Sequence, residues 1–136
     1  MDVKERLAEL HAMLKEAERL AEALDDARNA TPKSPQMTGM PRANHQTTLD
    51  LQMEIIERAR EKFEKARENA LEKLNEIEEM IDGLESYDQQ KVLYFRHIYR
   101  MKWTEVADRI HFSERQAQRI HARALEALAK TERSEK

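Results

Sequence analysis

Apolar side chains recur near the start of the chain at alternating steps of four and three residues. The positions that share this spacing are Val3, Leu7, Leu10, Leu14, Ala17, Ala21 and Leu24. Such a step returns each side chain to one seam of an α-helix, as in a coiled coil. The spacing predicts a helix over about residues 2–28.

A segment without any period follows. Residues 29–47 contain all three prolines of the chain and Gly39, so we expect a loop or linker there.

The alternation resumes after Thr48, a plausible N-cap. Its positions are Leu49, Met53, Ile56, Arg60, Phe63, Arg67, Ala70, Leu74, Ile77, Ile81 and Leu84. In mid-helix the register stays open, because Ala59 and Ala66 could face inward in place of the two arginines. The second helix is roughly 55 Å long and the first about 40 Å, at about 1.5 Å per residue. We therefore expect an antiparallel hairpin or coiled coil with apolar seam left over, for which a homo-oligomer, most simply a dimer, is the expected partner.

A second domain begins after Gly83. Ser86 and Gln89 form an S-x-x-Q capping box for a helix over about 87–100. The predicted domains are 1–84, a hairpin with its linker at 29–47, and 85–136.

The second domain has the order of a helix-turn-helix. WTEVADRI predicts a two-turn helix, HFS a tight turn, and ERQAQRIHARALEALAK a four-turn helix opened by Ser113 and Gln116, again S-x-x-Q. Spacing places a set of apolar residues inward: Val106, Ala107, Ile110, Phe112, Ala117, Ile120, Ala124, Leu125 and Leu128. The outward set is Glu114, Arg115, Gln118, Arg119 and Ala122.

The outward side chains suit the major groove of double-stranded DNA. Arginine bonds guanine bidentately, glutamine bonds adenine, and glutamate accepts from cytosine. We therefore assign Glu114, Arg115, Gln118 and Arg119 to base edges, with helix 114–129 as the recognition helix. Nearer the phosphates we place Arg123, Lys102, Lys91 and Arg100.

The distribution of charge favours the same surface. The formal net charge is −3, yet residues 1–86 carry 20 acidic and 13 basic side chains, whereas residues 87–136 carry 7 acidic and 11 basic ones. A basic module on an acidic chain is typical of nucleic-acid-binding proteins.

Several classes of function find no support. The chain has no cysteine and no apolar run of membrane-spanning length, and its start has no signal-peptide pattern, so we expect a cytoplasmic protein of a bacterial host without membrane contact. The five histidines lack metal-ligand spacing, and we interpret His121 as a packing or phosphate-contact residue. No phosphate loop or nucleophile motif is present, so we expect neither enzyme activity, nor a cofactor, nor a metal.

FRHIYRMKWTEVADRIHFSERQAQRIHARALEALAK resembles region 4 of sigma-70-type factors. The whole chain, with its loop SPQMTGMPRA, is similar to phage regulators of the ArpU and RinA families. The resemblance implies an activator of late phage or prophage genes, with Arg115, Gln118 and Arg119 facing bases and Ser113 capping the recognition helix. The chain departs from the sigma pattern at Lys102, where Ser or Thr is usual, and at His111, where Gly is frequent.

Two alternatives stay open. Small terminase subunits of phage packaging also combine a helix-turn-helix with oligomerising helices, although their DNA module is usually N-terminal. A sigma-like surface could also bind RNA polymerase or another protein instead of DNA.

Overall fold

The computed structural model describes residues 2–30 and 42–134. These residues form five α-helices and one π-helical segment, and no strand occurs among them. The helices are α1 (Val3–Asn29), α2 (Arg42–Asp82), α3 (Tyr87–Leu93), α4 (Trp103–Ile110) and α5 (Glu114–Ser134), with the π-helical segment Tyr94–Ile98 between α3 and α4. This described part is all-α, as predicted. No helix in this described part combines the length and apolar character needed to cross a membrane.

The second helix begins earlier than predicted. Helix α2 starts at Arg42, so Thr48 lies within it and is not its N-cap, and residues 42–47 are helical rather than linker. The helix extends back because no proline or glycine interrupts residues 42–47. Most of the SPQMTGMPRA loop lies outside the described residues.

Burial settles the register of α2. Ala59 and Ala66 are partly buried, whereas Arg60 and Arg67 are exposed. Leu49 and Met53 were expected in the seam but are 40% and 68% exposed.

Helices α1 and α2 each contribute to two compact units, Met1–Ala12 with Leu71–Lys136, and Met13–Ala70. In the first unit, Arg6 pairs with Glu76 (3.1 Å) and Lys73 with Glu9 (3.4 Å). In the second unit, the Gln52 amide donates to the carbonyls of Ala27 and Ala30 near the end of α1.

The predicted domain boundary at 84 and 85 falls inside the first unit. Leu84 is buried, and the Gln90 amide donates to the Leu84 and Asp82 carbonyls, which joins α3 to the end of α2. The Tyr94 hydroxyl donates to Asp82 (3.0 Å). Burial, together with that carboxylate, raises the pKa of Tyr94 to about 12. The boundary as a limit of independent folding stays a prediction.

The predicted helix over about 87–100 is divided in the structure. After Leu93 the backbone widens, and the Tyr99 N–H bonds to the Tyr94 carbonyl five residues earlier (2.9 Å). Arg100 then adopts a left-handed conformation (φ 57°) that ends the segment.

Candidate nucleic-acid interface

Helices α4 and α5 are held together by an apolar core that they share with α3. Val92, Val106, Ala107, Ile110 and Ala117 are buried in it. Its partly buried neighbours are Phe95, Met101, Trp103 and Ile120. Ala117 is fully buried and Ala107 nearly so, and such small side chains let helices approach closely. This core fixes which face of α5 remains outside.

The turn between α4 and α5 is made by His111 in a left-handed conformation, with φ 62° and ψ 39°. The Phe112 N–H bonds back to the Ala107 carbonyl (3.1 Å), which closes a Schellman-type helix end. His111 therefore holds a backbone conformation that Gly adopts at lower steric cost. Phe112 was predicted to face inward, but it is 38% exposed because the left-handed residue turns the chain away from the core.

Helix α5 opens with a reciprocal cap. The Gln116 N–H donates to Ser113 Oγ (3.2 Å), and the Ser113 N–H donates to Gln116 Oε1 (3.3 Å). The predicted capping box is thus present in full, and Ser113 acts on the helix rather than pointing away from it.

All the predicted base-contacting residues lie on the exposed side of α5. Glu114, Arg115, Gln118 and Arg119 are exposed. Their spacing of three and four residues places them on neighbouring turns, away from the buried side at Ala117, Ala124 and Leu128. Within the described residues, neither Arg115 nor Arg119 pairs with a carboxylate, so both guanidinium groups can bind an external acceptor.

The residues predicted to contact phosphates differ in their surroundings. Lys102 and Arg123 are exposed. Lys102 is the N-cap of α4 but makes no side-chain cap hydrogen bond, so its side chain does not satisfy the first N–H groups of that helix. The Lys91 ammonium group lies 4.3 Å from the centroid of the Tyr87 ring.

One arginine of the basic module is turned inward. Arg96 donates to the Met101 carbonyl (2.9 Å), and its guanidinium lies 4.9 Å from the centroid of the Trp103 ring. It therefore has a structural role.

The structure also brings together three histidines that sequence reasoning kept apart. His97 is buried between His11 and His121, within hydrogen-bond distance of both. Their separations in sequence, 86 and 24 residues, follow no local pattern, so only the tertiary fold reveals the group. Among the described residues no group of histidine, aspartate and glutamate is arranged to hold a metal ion.

A family model described as "Protein of unknown function (DUF1492)" matches residues 35–129. No curated protein and no solved structure matches the chain. Since the match covers more than half of its length, the chain belongs to this family.

Proposed function

We propose that this member of the family is a sequence-specific DNA-binding transcriptional regulator. In this proposal α4 and α5 act as a helix-turn-helix, and residues 114–129 of α5 enter the major groove of double-stranded DNA. The observation that carries the proposal is the exposed face of α5, which contains Arg115, Gln118 and Arg119. In the described structure neither arginine pairs with a carboxylate.

The geometry of this face suits base recognition. A recognition helix needs a buried side that fixes its orientation and an outer side with long polar groups at its N-terminal turns. In α5 the buried side starts at Ala117, and the polar residues occupy the first two turns. An arginine guanidinium can then meet the O6 and N7 acceptors of guanine, while the Gln118 amide can bond adenine.

The residues around the face would supply attraction that does not depend on sequence. In this proposal the exposed Lys102, at the N-terminus of α4, and the exposed Arg123, farther along α5, contact phosphates. The N-terminal N–H groups of α4 would add to this attraction. These contacts would orient the module on the duplex.

The finer biological role rests on resemblance. Similarity to sigma-70 region 4 and to the ArpU and RinA regulators supports an activator of late phage or prophage genes. We further propose that the N-terminal part of the chain, α1 with α2, forms an antiparallel hairpin that associates between copies, since a dimer would present two recognition helices.

The proposal is tested by separating base recognition from phosphate attraction. Once a preferred site has been selected from random duplexes, the affinity of the full chain is measured for that site and for random DNA. Arg119→Ala should lower binding to the preferred site by about 1–3 kcal/mol and binding to random DNA much less. Lys102→Ala should weaken both equally and reduce the salt slope by about one.

Arg67→Ala is the matched control, because Arg67 is an exposed arginine of α2 outside the proposed interface. It should leave both affinities unchanged. Equal loss of both affinities in Arg119→Ala would show that α5 does not recognise bases. Binding to RNA polymerase by a chain that binds no DNA would replace the proposal with the protein-binding alternative.

A further inference from the structure

Three imidazole rings from three separate elements form a continuous contact in the first compact unit. His97 Nδ1 lies 3.2 Å from His11 Nε2, and His97 Nε2 lies 2.8 Å from His121 Nε2. His11 belongs to α1, His97 to the π-helical segment and His121 to α5. The central ring is only 8% exposed, so water cannot readily replace either contact.

The charged side chains that lower the pKa values of His97 and His121, apart from the imidazoles themselves, are cations. Arg96 acts on both His97 and His121, and Lys4 of α1 acts on His121. From α4 the neutral Trp103 ring meets His121 edge-on, with centroids 5.1 Å apart. Burial, the neighbouring imidazoles and Arg96 lower the pKa of His97 to about 3, and burial with Arg96 and Lys4 lowers that of His121.

The number of protons on the rings determines whether both contacts can exist. Each N···N contact needs one proton between its two nitrogens, because two lone pairs or two N–H groups repel each other. Three neutral imidazoles carry three protons: two fill the contacts and one occupies an outer Nδ1. A fourth proton occupies the other outer Nδ1, and both contacts survive. A fifth proton places two N–H groups in one contact, which must then open.

We propose that His11, His97 and His121 form a proton-sensitive latch that ties α1 to α5 and opens between His11 and His97 when the rings take up a second extra proton. This contact is the longer of the two, and His11 is only partly buried, so its imidazolium can be hydrated. The His97 to His121 contact is shorter and remains.

Opening would loosen α1 where it meets the rest of this unit. Val3, Leu7 and Leu10 are buried, and Arg6 pairs with Glu132 of α5 at 2.8 Å, so α1 stays attached through its first turns. The latch therefore controls a local adjustment rather than unfolding. The latch itself does not depend on the proposed function. An effect of the latch on DNA affinity would depend on it, because α5 carries the proposed recognition residues.

The direct test is NMR of the ¹⁵N-labelled full chain without DNA, from pH 8 downward. Scalar coupling across the N–H···N hydrogen bonds should join His97 to both partners near neutral pH. On acidification the coupling to His11 should disappear first, at a pH where far-ultraviolet circular dichroism still shows the folded helices. Absence of both couplings near neutral pH, or their loss only together with the helical signal, would overturn the latch.

A second readout uses Trp103, the only tryptophan of the chain, which contacts His121. Its emission should change as the rings take up protons. His11→Gln keeps a hydrogen-bonding group near the Nε2 position but cannot titrate. It removes one of the imidazoles that lower the pKa of His97, so the midpoint should move to higher pH. His111→Asn removes an exposed imidazole outside the latch and tolerates the left-handed backbone, so its midpoint should match that of the wild type. Equal midpoints in wild type and His11→Gln would contradict the proposal.

Because no DNA is present, these results do not depend on whether the chain binds it. A protein that shows the latch but no DNA affinity would refute the proposed function alone.

Discussion

Ser113 and Gln116 cap the first turn of α5 reciprocally, each through its side chain on the backbone N–H of the other, at 3.2 and 3.3 Å. Ser113→Ala removes one acceptor and leaves an N–H without its partner, so we expect the free energy of unfolding to fall by about 1 kcal/mol. Urea denaturation followed by circular dichroism measures this loss. The same measurement on Ser86→Ala, which removes the cap on the Gln89 N–H at the start of α3, serves as a comparison. A Ser113→Ala chain as stable as the wild type would show that the cap does not stabilise α5.

His111 holds the left-handed turn between α4 and α5, a conformation that costs an L-residue about 1 kcal/mol. His111→Gly removes that steric cost, and we expect it to stabilise the protein by about 0.5–1 kcal/mol despite the added entropy of the unfolded chain. His111→Ala tolerates the conformation less well and should destabilise it. Thermal denaturation of the wild type and the two variants gives their order of stability. If the Gly variant is less stable than wild type, the His111 side chain contributes contacts that outweigh the strain.

Acidification should destabilise the fold through His97. Its pKa is about 3 in the folded protein and near its ordinary value of 6.5 in the unfolded chain, so the unfolded chain binds protons first as the pH falls. The stabilising effect of the neutral, buried ring is complete above pH 6.5 and is lost progressively from there down to about pH 3. His121 acts in the same direction.

Between about pH 7 and pH 5 the expected loss for His97 is about 2 kcal/mol. Urea unfolding at the two pH values measures it, in a range where most carboxylates remain ionised. His97→Asn should show a weaker pH dependence even if it is less stable throughout. Stability that rises on acidification would contradict the burial of a neutral imidazole at this position.

Helix α2 exposes four large apolar side chains within two turns: Leu49, Leu51, Met53 and Ile55. Exposed apolar area of this kind favours association, and we expect the chain to self-associate, most simply as a dimer. Light scattering at micromolar concentration measures the mass. The double variant Met53→Lys and Ile55→Lys should shift it to the monomer, whereas Lys62→Ala, on the same helix, should not. A wild-type chain that is monomeric throughout would exclude this association.

Helix positions and their buried sides were largely predictable from the sequence because they depend on local spacing. The segment Trp103–Ile110 and the Ser113 cap agree with prediction, since capping residues and apolar periodicity act over a few residues. The predicted start of α2 at Thr48 was wrong, because this good N-cap residue lies in a longer stretch without a helix breaker. The prediction that Phe112 faces inward was wrong, because periodicity takes no account of the left-handed residue before it.

Contacts between residues far apart in the chain could not be predicted from local spacing. Nothing local indicates that the start of α1 joins residues 71–134 in one unit, or that His11 meets His97. The π-helical turn after Leu93 likewise has no signal in the spacing. The candidate interface was predictable as a set of outward side chains, because facing outward on α5 follows from the helical period alone.

The central claim, that this chain binds duplex DNA through α5, is tested most directly by fluorescence anisotropy of the full chain with a random labelled duplex. If Lys91, Arg100, Lys102 and Arg123 each contact a phosphate, as the sequence predicts, affinity should fall about 100-fold between about 50 and 200 mM salt. Arg115→Glu with Arg119→Glu should abolish binding while the helical signal is retained, and Arg67→Glu should preserve it. A fully folded chain that shows no binding at about 50 mM salt, or that binds equally well with Arg115 and Arg119 reversed in charge, would contradict the account.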